Sequence, residues 1–348
     1  MTKKTLYIHI GTCKTGTTSL QSFLYKNADL LKSKGLFYPK IEFSDAYKES
    51  HYFSEYTNFR PLFLNFDDRK SRINQTMWID KYYPQIINSN CDKILLSEEV
   101  LSYQEDLAIF DDPAFSVFDV KIIVYVRKYV EYMCSMWSET VKPILRHPKG
   151  RMSLQEFLQD DIFPYGLLMD YINKFGADNV ILRPFEKEQW HNKNLYSDFL
   201  NIFDIENSDD FIRVPNENEG FNRNICELFR IINELKLNYN DSHKASKLFY
   251  SQKFLAQPKA IDTLTDEDIK DFTDKNLEKE NLLANQFGKE SLFINPYPSI
   301  YGKKRESYKS ATFSIEELEI LKEIIKLKNN TIFSSSEEIN KIFNSINN

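Results

Sequence analysis

Leu6-Tyr7-Ile8-His9-Ile10 is a short apolar run that passes without a break into Gly11-Thr12-Cys13-Lys14-Thr15-Gly16-Thr17-Thr18-Ser19. Leu20, Phe23 and Leu24 then begin a spacing of three to four residues, which is that of a helix face. Strand, turn rich in Gly and Thr, then helix is the architecture of a phosphate cradle. Backbone N–H groups of the turn and of the helix N-terminus point at an anion, and the helix dipole favours it. A Lys and several hydroxyl side chains around two glycines suit such an anion better than they suit an ordinary polar turn.

Three more short apolar runs follow. Lys93-Ile94-Leu95-Leu96, Lys121 to Val126 and Asn179 to Leu182 all read as strands, the second rich in β-branched residues. Tyr129 to Val141 and Leu195 to Phe203 carry helical periods. The resulting order, βαβαβαβ, predicts an α/β fold, a P-loop-like parallel sheet with helices on both faces. From about Asn216 the composition shifts towards Asn, Lys and Glu. Helical periods run over Asn222 to Leu237, Asp266 to Phe287, Ser314 to Lys328 and Ser335 to Ile346. The third opens on a capping box, Ser314-Ile315-Glu316-Glu317. The expected organisation is an α/β core over 1–215, with 41–90 as an insertion rich in Tyr, Phe and Asn. A helical C-terminal layer over 216–348 packs on that core.

Composition narrows the function classes. A chain of 348 residues with 42% hydrophobic and 28% charged residues describes a globular protein with a large core. The longest apolar run, Ile122 to Val126, is far shorter than a membrane span. Met1 to Thr5 lead into the cradle strand rather than into a signal-peptide core. A cytoplasmic protein without a transmembrane segment is the expectation. The net charge of −6 argues against nucleic acid as a partner. Residues 121–151 nevertheless hold seven basic side chains against Glu131 and Glu139, a local excess suited to a doubly anionic ligand or an anionic acceptor. Cys13, Cys91, Cys134 and Cys226 are scattered, so neither a metal site nor a disulfide framework is expected.

The detail of the turn bears on which anion it takes. A Walker A loop carries its Lys directly after the second Gly. Here Thr17 stands at that position, and the loop's Lys is Lys14, two residues before Gly16. The order K-T-G-T-T resembles the loop of sulfotransferases that use 3′-phosphoadenosine 5′-phosphosulfate (PAPS). The longer stretch IHIGTCKTGTTSLQSFL resembles the bacterial glycan-sulfotransferase branch of that superfamily. A second element is similar as well. Arg127 closes the strand IIVYV, and Ser135 follows eight residues later in the next helix, the spacing at which sulfotransferases hold the 3′-phosphate. A guanidinium forks onto phosphate oxygens, and a hydroxyl adds a donor. The run Arg183-Pro184-Phe185-Glu186 resembles the element that closes the nucleotide-binding half in these enzymes.

The resemblance implies PAPS as sulfuryl donor, adenosine 3′,5′-bisphosphate as product, and no metal. Thr12, Cys13, Lys14, Thr15, Gly16, Thr17, Thr18 and Ser19 would cradle the 5′-phosphosulfate. Lys14 would neutralise the leaving phosphate, and Thr17 and Thr18 would hold the 5′-phosphate. Arg127 and Ser135 would take the 3′-phosphate, and Arg183 would support either the nucleotide or the sheet end. The acceptor is a hydroxyl, of a glycan or glycolipid by the bacterial resemblance. Its proton needs a base. The pattern Ser97-Glu98-Glu99 aligns Glu99 with that role, with Glu98 as its alternative and His51 as a third candidate. His9, beside the cradle, reads as packing or loop support. Two other readings stay open. One is a P-loop kinase or NTPase using ATP–Mg²⁺, with Leu95 to Glu99 as a Walker-B-like strand end. The other is a non-catalytic nucleotide- or glycan-binding protein on the same fold.

Overall fold

The structure is a computed structural model that describes residues 3–41, 56–62, 74–103, 107–145, 147–159, 165–214, 223–234, 240, 242–244 and 259–303. Its strands are β1 (Lys4–His9), β2 (Leu36–Phe37), β3 (Lys93–Ser97), β4 (Phe118–Val126) and β5 (Val180–Pro184). They form one sheet in the order β2-β3-β1-β4-β5, and every neighbouring pair is parallel. Ile8 pairs with Leu96 on one side and Ile122 on the other, and Val124 pairs with Leu182. The expected α/β fold is therefore present. β2 is the strand that the sequence does not announce, because two residues carry no period.

Six helices of seven or more residues are described: α1 (Thr17–Lys26), α2 (Tyr129–Thr140), α3 (Leu168–Phe175), α4 (Leu195–Asn201), α5 (Arg223–Glu234) and α6 (Asp266–Asn285). The helices expected over 222–237 and 266–287 correspond to α5 and α6. Those expected over 314–328 and 335–346 lie outside the described residues.

Both faces of the sheet are covered, and strand alternation assigns the residues. Leu6, Ile8, Ile94, Leu96, Ile122, Val124 and Leu182 point into one apolar core with Leu168 and Ile172 of α3. Tyr7, Leu95, Ile123 and Tyr125 point into a second core with Leu20, Phe23 and Leu24 of α1 and Phe199 and Leu200 of α4. Successive side chains of a strand face opposite ways, so a parallel strand buried on both sides reads as an uninterrupted apolar run.

The chain forms two compact units, each assembled from separate stretches. The first comprises Met1–Arg127, Phe163–Asn218 and Glu278–Ile294, and contains the whole sheet. The second comprises Lys128–Ile162, Glu219–Leu277 and Asn295–Asn348. Within it the Trp137 indole donates to the Met152 carbonyl at 2.9 Å. Asn233 of α5 donates to the carbonyls of Val141 (2.9 Å) and Gly150 (2.8 Å). No helix among the described residues is long and apolar enough to cross a membrane.

Candidate functional site

In the first unit the chain leaves β1 towards the β2–β3 side of the sheet, and after β3 it crosses to β4 on the other side of β1. The loop after β1 thus sits at the point where the strand order reverses, outside the carboxyl ends of the strands, which is where open α/β sheets bind ligands.

Main-chain pairing carries this loop beyond the end of the strand. Ile10 N–H donates to the Ile123 carbonyl at 3.0 Å, Tyr125 N–H to Gly11 at 2.7 Å, and Thr12 N–H to Tyr125 at 3.0 Å. The Thr12 hydroxyl doubles the last contact at 3.0 Å, and the Thr15 hydroxyl folds back onto the Thr12 carbonyl at 2.5 Å. Gly16, directly before α1, has φ +76°, and a Cβ there would lie 2.8 Å from Leu195 Cδ2. Lys14 adopts φ +64°, a left-handed conformation uncommon outside glycine. Thr12, Thr15, Thr17 and Ser19 are buried, whereas Cys13, Lys14, Gly16 and Thr18 are half-buried.

Arg127 ends β4 and meets this loop. Its Nη1 donates to the Lys14 carbonyl at 3.4 Å, and its guanidinium lies 5.7 Å from the centre of the Phe185 ring. The Tyr165 hydroxyl holds the Arg127 main chain, accepting from its N–H at 2.9 Å and donating to its carbonyl. Tyr165 is fully buried, and nothing in its sequence surroundings signals this clamp. Ser135 is a half-buried residue of α2 in the second unit.

The adjacent acids after β3 have different surroundings. Glu98 is completely buried and accepts from Nη2 and Nε of Arg60, at 2.6 Å and 2.8 Å. Val100 N–H also donates to it at 3.2 Å, and the Thr57 hydroxyl, 2.7 Å from the Ser97 carbonyl, lies 3.0 Å from it. Its oxygens are thus engaged away from the cradle loop. Glu99 opens the short turn Glu99–Tyr103 and accepts a hydrogen bond from the Thr17 hydroxyl of α1. Burial raises the Glu99 pKa above its ordinary value, with the Thr17 hydrogen bond opposing that rise. Cys13 stands beside them. Its thiol pKa is pushed well up, first by burial and then by the Glu99 charge, and it hydrogen-bonds with Tyr103 and Glu99. It is therefore a protonated thiol rather than a reactive thiolate.

Arg183 of β5 is committed to Asp198 of α4, to which both its Nε (3.0 Å) and its Nη2 donate. This ion pair ties the end of β5 to α4. Asp198 interrupts the apolar face of LYSDFLNIF, and a buried acid on such a face is the signal that could have pointed to it. His9 is fully buried, with Nδ1 2.9 Å from the Ser97 hydroxyl. Burial drives its pKa down to about 3, so the imidazole is neutral. His51 lies outside the described residues, as does Arg146 of the basic stretch 121–151.

The loop thus combines the cation of Lys14, the neighbouring guanidinium of Arg127, threonine hydroxyls at a helix N-terminus, and one carboxylate on Thr17. Such a set can hold a polyanion and take up a proton. In comparisons with known proteins, no family model, curated protein or solved structure matches this chain.

Proposed function

We propose that the protein is a PAPS-dependent sulfotransferase acting on a carbohydrate hydroxyl. The observation that carries this reading is the meeting of Lys14 and Arg127 at the carboxyl ends of adjacent strands, beside the Glu99–Thr17 contact. Lys14 stands where a loop cation can stabilise negative charge growing on the leaving phosphate. Preorganised charge of this kind is the largest contribution to many such transfers. Thr17, Thr18 and the first amides of α1 suit the 5′-phosphate. Arg127 suits the 3′-phosphate that distinguishes PAPS from ATP.

The bond from sulfur to the bridging phosphate oxygen breaks as a bond from sulfur to the acceptor oxygen forms. Glu99 receives the acceptor's proton, and its raised pKa makes it a better base than an exposed carboxylate. Adenosine 3′,5′-bisphosphate and a sulfate ester are the products. The glycan nature of the acceptor rests on the resemblance of the loop to the bacterial branch. The cytoplasm is the proposed compartment.

The deciding experiment is thermal stabilisation by adenosine 3′,5′-bisphosphate, compared with ATP–Mg²⁺, in the wild type and in Arg127→Ala. A ligand bound only by the folded state raises Tm. A shift with the bisphosphate alone, lost in Arg127→Ala, supports the reading. A shift with ATP–Mg²⁺ alone favours a kinase. If the bisphosphate binds, Lys14→Ala then tests for chemistry. Sulfuryl transfer should drop by a factor of roughly 10²–10³, while a protein that only binds would have no turnover to lose.

A further inference from the structure

Thr17 has one hydroxyl proton, and it donates that proton in a hydrogen bond to Glu99. That hydroxyl belongs to the first turn of α1, among the groups with which the loop would hold a phosphate oxygen. α1 carries no acidic residue in its own first turn, and Gly16 ahead of it provides no side-chain cap. The negative charge reaching this helix end comes instead from Glu99, 82 residues away, where the helix dipole favours it.

We infer that Glu99 is a built-in competitor for the anion site, that a ligand phosphate displaces it from Thr17, and that this displacement frees the carboxylate for the acceptor hydroxyl. The inference rests on the sulfotransferase reading and adds a positioning role for Thr17, which holds the base until a phosphate takes its place. The argument is one of stoichiometry and charge. A single O–H cannot donate to a carboxylate and a phosphate together. A carboxylate left beside a phosphate is repelled by it, so loading the site requires Glu99 to swing away or to take up a proton.

Turnover takes the first route, because a protonated Glu99 is no base; the second relieves the repulsion in binding alone, and the surroundings of Glu99 bear on it. Burial and the Glu98 charge raise its pKa, while the Thr17 hydrogen bond, Arg60 and Lys14 lower it, and the net direction is upward. Cys13, itself bonded to Tyr103, adds a neutral thiol. At low pH Glu99 is uncharged and does not oppose an incoming phosphate. Above its pKa it does, so the penalty grows with pH and then levels off.

Calorimetric binding of adenosine 3′,5′-bisphosphate across a pH series tests this in the wild type, Glu99→Gln and Glu99→Asp. The ligand's own protons titrate alike in all three proteins and cancel in the ratio of affinities. Around pH 8 Glu99→Gln should bind about tenfold more tightly than the wild type, and the gap should narrow as the pH is lowered through the Glu99 titration. Glu99→Asp keeps the charge on a shorter arm, and its affinity should fall between the two. Equal affinities for all three at every pH overturn the competitor role and leave the sulfotransferase reading standing. Absence of bisphosphate binding in the wild type overturns both. If Glu99→Gln does not fold, the comparison with Glu99→Asp decides, and equality again overturns the inference.

Discussion

The Tyr125 hydroxyl donates to the Asp198 carboxylate at 2.7 Å, joining the end of β4 to α4 across 73 residues of chain. The same carboxylate accepts from Arg183 and from the His191 N–H at 2.9 Å. Tyr125 is also the residue whose main chain holds Gly11 and Thr12. A fully buried acid thus fixes the strand on which the loop is stitched. Asp198→Ala would leave buried donors and the partly exposed Arg183 charge without their acceptor. It should cost about 3 kcal/mol, read as a lower urea midpoint at constant m. Asp198→Asn, which keeps the shape, should cost less.

Glu98 and Glu99 should separate by phenotype. Glu98→Gln strips the charge from a buried pair with Arg60 and should destabilise by about 3 kcal/mol. Arg60→Met should do the same, and the double variant should recover part of the loss, because no uncompensated charge then remains. Glu99→Gln should leave Tm nearly unchanged and remove most transfer activity. Urea unfolding paired with a transfer assay distinguishes the two residues. A stable Glu98→Gln with full loss of transfer would reverse the assignment.

Gly16→Ala meets two obstacles, the positive φ and the Leu195 side chain. The end of a leucine side chain can rotate away, so the backbone conformation should dominate, at roughly 1–2 kcal/mol. Adding Leu195→Ala should therefore restore little. Gly35→Ala is the control, since its φ is +86° and a Cβ there has open space. The two substitutions should destabilise by similar amounts in chemical unfolding.

His9 makes stability depend on pH. Its folded pKa, about 3, lies below the ordinary 6.5, so between these values the unfolded chain binds a proton that the native protein does not. Stability must then rise with pH through this window and be lost as pH falls. From pH 7 to about pH 5 the contribution is roughly 2 kcal/mol. His9→Asn keeps a polar atom for Ser97 and removes the titration. The wild type should lose that much more stability than the variant over the same interval, measured by urea unfolding at each pH.

Much of the sheet is legible because its signals are local. β1, β3 and the second half of β4 are buried on both faces, and such strands must be continuous apolar runs, whereas the edge strand β5 buries alternate residues. α1 is buried almost all round, yet Leu20, Phe23 and Leu24 still carry a helical period. The cradle loop is equally local, because Gly11, Gly16 and the residues between them make a turn from their own backbone preferences. β2 escaped because two residues are too few to show a pattern.

Partnerships were decided elsewhere. Glu98 and Glu99 are indistinguishable as letters, yet one is sealed against Arg60 and the other rests on Thr17, since the chain turns between them and Arg60 arrives from 38 residues away. Arg183 ends its strand much as Arg127 ends β4. Its charge is committed to Asp198, while Arg127 reaches the Lys14 carbonyl. Hydrophobic burial depends on each residue's own chemistry and spacing, so the sequence alone determined the layers and the loop. A charged side chain takes its role from the partner that compensates it, and those partners come from distant segments that only the tertiary fold brings within hydrogen-bond reach.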